Sequence, residues 1–307
     1  MKLVIAEPLG IDKQDLLGYV FSAMAADIEI VYYDSPPAGA PELAARCAEA
    51  EIVVIANTPL GAEVLRQCPR LRLISVAFTG FDHIDLELCE EMGVTVMNAA
   101  GYATAATAEL TLGLALSLLR ELPLCDQLSR GGQTRPAPGR ELRGKLFGVI
   151  GSGSIGLRVA ELARAFGCEV CAWSRNPKPV GYINYLSLPE LLAAADIVSV
   201  HLPLNSNTRG LLDFSMLTLM RPEAVLINTA RGAIVDNQAL AMLLKSGRLA
   251  GAAIDVLDNE PPWPPDHPLF DAPHTLITPH IGFATREAMH TRAKLVFDNI
   301  GRWLAAQ

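Results

Sequence analysis

The sequence predicts an α/β protein made of two doubly wound parallel sheets with helices on both faces of each. Three observations carry this expectation. Short apolar runs alternate with helical stretches from end to end, the runs fall into two series, and a glycine-rich turn follows the first strand of the second series. The first series has strand candidates at 3–7, 28–33, 51–57, 71–78 and 93–98, with helices near 41–49, 61–67 and 85–92. The second has strands at 146–151, 168–173, 196–202, 224–230, 250–256 and 275–280. Uniformly apolar strands separated by helices need cover on both faces, which is the signature of a parallel sheet.

Between the two series lies a helix at 105–120. Its apolar run LTLGLALSLL is bounded by Glu109 and by Arg120–Glu121, so a buried or interface helix is expected, not a membrane span. The stretch 130–144, dense in Gly, Pro and Arg, reads as an excursion between domains. A last helix at about 285–305 is expected to return to the first sheet. The organisation read from this is a discontinuous domain of residues 1–98 plus about 284–307, and a second domain of about 99–283 that includes the 105–145 helix and loop.

Composition narrows the function classes. Across 307 residues the net charge is −8 with no run of Lys and Arg, which argues against nucleic acid, because phosphate binding needs a clustered basic surface. The opening MKLVIAEPL is too short for a signal peptide or a span and reads as a buried strand, so a cytoplasmic protein that binds no membrane is expected. Six scattered cysteines fit reduced, packed thiols. Cys168 and Cys171 form a CxxC, but on a strand residues i and i+3 point to opposite faces. His83, His267, His274 and His290 lack ligand spacing, so no metal is expected.

The segment GVIGSGSIG carries the first chemistry. Gly151, Gly153 and Gly156 form GxGxxG after a strand and at the opening of a helix. The first allows a tight turn, the second lets backbone approach a pyrophosphate, and the third permits close helix–strand packing. Amides near Ser154 and Ile155 then face phosphate oxygens at the helix N-terminus. Eighteen residues on, the second strand leads into SRN, where an NAD site would place a ribose-binding acid. Ser174 removes the repulsion that such an acid exerts on a 2′-phosphate, and Arg175 can pair with that phosphate, with Asn176 and Lys178 in support. NAD(P)H is therefore expected, with NADPH favoured over NADH. The alternative is an Arg175 that points into solvent in a site open to NAD.

Three later stretches read together: INTARGAIVD (227–236), AAIDVLDNEPP (252–262) and ITPHIGFAT (277–285). Arg231 and His280 follow strand ends, and Glu260 lies in a Pro-flanked loop. They can combine as anion clamp, proton carrier and orienting acid. Each also has an ordinary reading: a surface ion pair, a capping or core histidine, and a solvated acid.

With GKLFGVIGSGSIG, ADIVSVHLPLNSNTRGLL, LINTARGAIVD, AAIDVLDNEPP and TPHIG in this order, the chain resembles the D-isomer-specific 2-hydroxyacid dehydrogenases along essentially its whole length. The resemblance implies two Rossmann-like or flavodoxin-like domains with the active site in a cleft between them, the discontinuous domain holding substrate and the other the dinucleotide. It implies Arg231, Glu260 and His280 as the catalytic set. FTGFDHID is similar to the family's substrate loop, so Phe78, Thr79 and Gly80, with Arg231 and His280, are the implied substrate contacts. Asp255 matches the acid that holds the nicotinamide carboxamide, and Thr107 in TAEL lies at the helix beside the cofactor. His201, Pro203, Thr208, Thr229, Ala230 and Gly282, together with Arg231 and His280, complete the implied cofactor contacts. The implied reaction moves a hydride between NAD(P)H and C2 of a small 2-keto or 2-hydroxy acid, of the glyoxylate or hydroxypyruvate type, in a homodimer built around 100–145. Leu110 stands where many relatives have His, which leaves the substrate open among glyoxylate, hydroxypyruvate and phosphoglycerate. The alternatives are a dinucleotide-sensing protein like the corepressors of this fold, and a formate or phosphite dehydrogenase.

Overall fold

The computed structural model describes residues 1–23, 28–134, 137–258 and 263–307. They divide into two compact units, Met1–Ala103 with Ala284–Gln307, and Thr104–Phe283.

The first unit runs β1 (Lys2–Ile5), α1 (Lys13–Ala23), β2 (Glu29–Tyr32), α2 (Ala40–Cys47), β3 (Ile52–Ile55), α3 (Ala62–Leu65), β4 (Leu73–Val76), α4 (Leu86–Glu91) and β5 (Thr95–Asn98). Its five strands are all parallel in the order β2-β1-β3-β4-β5. The three central strands, apolar apart from Lys2 and Ser75, are buried or nearly so along their length, as strands covered on both faces must be.

The second unit opens with α5 (Thr104–Arg120) and α6 (Leu122–Arg130), then β6 (Leu146–Ile150), α7 (Ser154–Ala165), β7 (Glu169–Trp173), β8 (Ile183–Tyr185), α8 (Leu188–Ala194) and β9 (Ile197–Val200). It continues with α9 (Phe214–Leu217), β10 (Val225–Asn228), α10 (Asn237–Lys245), β11 (Gly251–Ile254) and β12 (Thr275–Ile277). Seven parallel strands lie in the order β12-β11-β10-β9-β6-β7-β8, so the order reverses between β9 and β6. Ligands of such sheets bind outside the carboxyl ends of the strands, near that reversal. The chain then returns to the first unit as α11 (Arg286–Ala305), capped by the Thr285 hydroxyl, which accepts from Ala288 N at 3.1 Å.

Helices α5, α6 and the described residues after them all belong to the second unit, as the sequence reading of the 105–145 helix and loop has it. One feature differs from the sequence reading. Edge strand β8 leaves no sequence signal because its three residues, INY, are only partly buried and too short to show a period. The CxxC resolves as its strand register predicts. Cys171 packs into the core on one face of the seven-stranded sheet and Cys168 into the core on the other. Burial raises both thiols to about 11, so neither is a ready nucleophile at neutral pH. No helix among the described residues is long and apolar enough to cross a membrane.

Candidate functional site

The dinucleotide cradle is built by the turn from β6 to α7. Gly151 holds a φ of 103°, and a Cβ there would lie 2.5 Å from the carbonyl oxygen of His201. At Gly156 a Cβ would stand 1.9 Å from the carbonyl oxygen of Gly151, so only hydrogen permits α7 to start this close to its strand. The space around Gly153 is different: nothing lies within 4 Å of where its Cβ would be. Open space at the N-cap of α7, with no side chain capping the first-turn amides, suits a pyrophosphate. The helix stays in place through a stripe of Gly156, Val159, Ala160 and Ala163, all buried at helical spacing.

At the end of β7, Ser174 is half-buried and Arg175 exposed. No acid occurs from Ser174 through Gly181, and Arg175 makes no ion pair among the described residues. Next to the cradle, His201 follows β9. Its Nε2 meets Ser199 Oγ at 2.9 Å, while Nδ1 is buried with no hydrogen-bond partner among the described residues. Burial pushes this imidazole down to about 3, so it is neutral at physiological pH. In the following loop the Thr208 hydroxyl donates to Pro203 O at 2.6 Å and accepts from Asn205 N at 2.9 Å.

The carboxyl ends of β10, β11 and β12 carry the rest. Asn228, fully buried, accepts from Ala230 N at 3.0 Å and donates to Arg231 O at 2.9 Å, which fixes the turn through Thr229, Ala230 and Arg231. Arg231 is half-buried with extended backbone, and it donates to Ala230 O at 2.8 Å. Asp255, 1% exposed, accepts from the Thr278 hydroxyl at 2.6 Å, Ile281 N at 2.9 Å and Gly282 N at 2.8 Å. Between these donors sits His280, in the left-handed region at φ 53°, with its N–H donating to Asp255 O at 2.8 Å. A non-glycine residue in that conformation persists only where its surroundings hold it. Phe283 meets the His280 ring edge-on at 5.2 Å. Thr107, on α5, donates to Gly282 O at 3.1 Å, and Thr111 joins Thr107 O to the Thr229 hydroxyl at 2.8 and 3.1 Å.

The structure thus gathers Thr107, Thr229, Asp255, His280 and Gly282 into one hydrogen-bonded cluster. Glu260 lies outside the described residues. Thr111 and Asn228, which brace the cluster, were missed by sequence reasoning. Thr111 sits one helical turn past Thr107, and that spacing was the available signal.

In the first unit, Phe78, Thr79 and Gly80 follow β4. Asn98 Nδ2 donates to Thr79 O at 2.6 Å, Ala99 N donates to Phe78 O at 3.1 Å, and Phe78 meets Tyr102 edge-on at 6.1 Å. Thr79 is exposed and Gly80 half-buried, while Asn98 and Ala99 hold the carbonyls of Thr79 and Phe78.

Two experiments test this geometry. Gly156→Ala should weaken nicotinamide dinucleotide binding by about tenfold or more, because a displaced α7 misplaces its first-turn amides; a fluorescence titration with unchanged affinity would contradict the packing described. The pH dependence of His201 has a definite sign. Its folded pKa lies below the unfolded value, so stability is whole above about pH 6.5 and falls as pH drops toward 3, where the unfolded chain binds the proton and the folded one does not. His201→Asn should flatten the decline of the urea midpoint across that window.

Comparison with known proteins places the chain in a family. Residues 112–282 match the family model described as D-isomer specific 2-hydroxyacid dehydrogenase, NAD binding domain. A glyoxylate reductase of Aeropyrum pernix is 39% identical over 282 residues, covering 87% of this chain and 83% of that one. The TT0316 protein of Thermus thermophilus superposes with a TM-score of 0.90 at 36% identity, covering 100% and 98% of the two chains. An acyclic imino acid reductase (Bsp5), solved with NADPH and D-Arg, also gives 0.90, at 30% identity with 100% and 98% coverage. On this match over more than half of the chain and on these relatives, the chain belongs to the D-isomer-specific 2-hydroxyacid dehydrogenase family and carries that family's NAD-binding domain.

Proposed function

We propose that the protein is an NADPH-preferring reductase of small 2-keto acids of the glyoxylate or hydroxypyruvate type. The observation that carries this reading is the cage around His280, which holds a histidine at a carboxyl strand edge in a conformation it would not adopt unaided. A nicotinamide cofactor bound at Gly151–Gly156 supplies the hydride. Ser174 and Arg175 receive its 2′-phosphate, in keeping with the missing acid and with a guanidinium that has no ion pair among the described residues. Thr107, Ser154, Ile155, His201, Pro203, Thr208, Thr229, Ala230 and Gly282 form the remaining cofactor wall. Asp255 has one acceptor site left on Oδ2 after its three loop contacts, enough for a carboxamide N–H.

The amides at Thr79 and Gly80 bind the substrate carboxylate, and Arg231 clamps it and polarises the keto group. Protonated His280 donates its proton to the keto oxygen as the alcohol forms; in the reverse direction neutral His280 removes the hydroxyl proton. Glu260 acts as the acid that orients His280. The similarity to a glyoxylate reductase supports the substrate class, and the likeness to a reductase solved with NADPH supports the cofactor.

The reading also includes a homodimer. Helix α6 buries none of its residues on its own chain, and it exposes Leu122 and Leu124 at 52% and 43%. It borders a cavity of about 510 Å³ lined by Leu118, Pro123, Ala272 and Leu276 among others. An amphipathic helix with no buried face of its own fits a second copy of the chain.

Initial rates with NADPH and NADH against glyoxylate, hydroxypyruvate, pyruvate, formate and phosphite test the function. Glyoxylate or hydroxypyruvate should turn over fastest with NADPH, Arg175→Asp should shift preference toward NADH, and His280→Asn should lower kcat by about 10²–10⁴. Oxidation of formate or phosphite without keto-acid reduction would move the substrate class, and cofactor binding without turnover would favour a sensor. Light scattering should give a dimer that Leu122→Glu with Leu124→Glu converts to monomer.

A further inference from the structure

A buried cation in the first unit is used by none of the roles above. Arg292, on α11, is 3% exposed and belongs to a stripe with Ala288, Met289, Ala293, Val296 and Phe297. A guanidinium in such a stripe costs more desolvation than an aliphatic side chain of similar length, so its retention calls for a specific use. Its surroundings show what it touches. It donates to Leu9 O in the loop after β1. Its guanidinium carbon lies 5.1 Å from the Phe78 ring centroid and 5.8 Å from that of Tyr102. Tyr102 is also a hydrogen-bonding neighbour of the guanidinium, and Glu7 a charge neighbour. Glu7 in turn accepts from Ala56 N at 2.8 Å, Thr58 N at 3.1 Å and the Thr58 hydroxyl at 2.9 Å, in the loop after β3. One flat cation therefore meets the loops at the carboxyl ends of β1 and β4, while Glu7 carries the connection on to the loop after β3.

We propose that Arg292 is a positioning residue for substrate: clamped between Leu9 O and the rings of Phe78 and Tyr102, it fixes the pitch of the Thr79–Gly80 amides. The inference rests on the reading of that loop as the carboxylate binder. A planar guanidinium with several donors can face an aromatic ring and hold a carbonyl at the same time, in a fixed geometry that a flexible ammonium does not impose. In this role Arg292 acts through Phe78, whose carbonyl and ring are the inner anchors of the loop. A small tilt of the two amides weakens carboxylate binding while the proton and hydride chemistry continues on substrate that does bind.

The test uses the full-length chain as Arg292→Met and Arg292→Lys, with glyoxylate kinetics, an NADPH titration and a thermal melt. Arg292→Met should raise KM for glyoxylate about tenfold or more, with kcat within about threefold and NADPH affinity unchanged. Arg292→Lys, which restores charge without the planar fork, should recover part of that KM. An unchanged KM in folded Arg292→Met overturns the proposal, as does a parallel fall in kcat, NADPH affinity and melting temperature. If the Met variant does not fold, Arg292→Lys decides: a raised KM at unchanged NADPH affinity supports the role, and unchanged kinetics overturn it. Thr79→Pro and Gly80→Pro, each of which deletes one amide donor, separate this from the underlying reading. If they leave KM unchanged, the loop is not the carboxylate binder and both readings fail. If they raise KM and the Arg292 variants do not, the positioning role alone fails.

Discussion

The buried carboxylate of Asp255 is the interaction on which the rest of the His280 loop depends. Both of its oxygens are engaged by donors from residues 278–282, and its own carbonyl takes the His280 amide. A carboxylate is suited to this because it accepts several hydrogen bonds at once, and charge-assisted bonds are the stronger kind. Without it, the N–H groups of Ile281 and Gly282 would lose their acceptor on either side of the loop that holds His280. Gly282 belongs to the same constraint, since a Cβ there would lie 2.9 Å from Asp255 Oδ2.

The parallel sheets set the frame for this arrangement. Strand ends deliver Asn228, Asp255 and Thr278 to one edge of the second unit, where backbone groups leave the ladder and side chains take their place. The first unit repeats the logic with different residues, as Glu7, Asn98 and Arg292 satisfy the loops beyond β1, β3 and β4. In both units polar side chains brace these loops, most of them buried, so loop conformation follows largely from the core. Pre-organisation of this sort keeps a site aligned before its ligands arrive.

Much of this was legible in the chain. Ten of the twelve strands lie wholly inside the apolar runs read for them, and β1 departs from its run only by starting one residue early. β8 lacked both length and burial to leave a trace. The phosphate cradle was legible because three glycines at this spacing, between a strand and a helix, meet a backbone requirement that larger residues cannot. Helix α6 was not legible: its polar composition and short length look like the loop it precedes, and it buries no residue on its own chain. Arg292 was equally hidden, as one basic residue in a helix that also carries exposed Lys294 and Arg302. Periodicity places it on the buried face only once the face is known.

The sequence alone determined the strand and helix periods, the glycine turn, the absence of a ribose acid after the second strand, and the residue types able to carry hydride-linked proton transfer. These are local properties, set by side-chain spacing and backbone sterics within a few residues. The tertiary structure decided which polar groups meet: that Asp255 braces the His280 loop, that Thr111 links Thr107 to Thr229, and that Arg292 lies under Phe78. Such pairings join residues 23 to more than 200 positions apart, and only the packing of sheet against helix brings them within hydrogen-bonding distance.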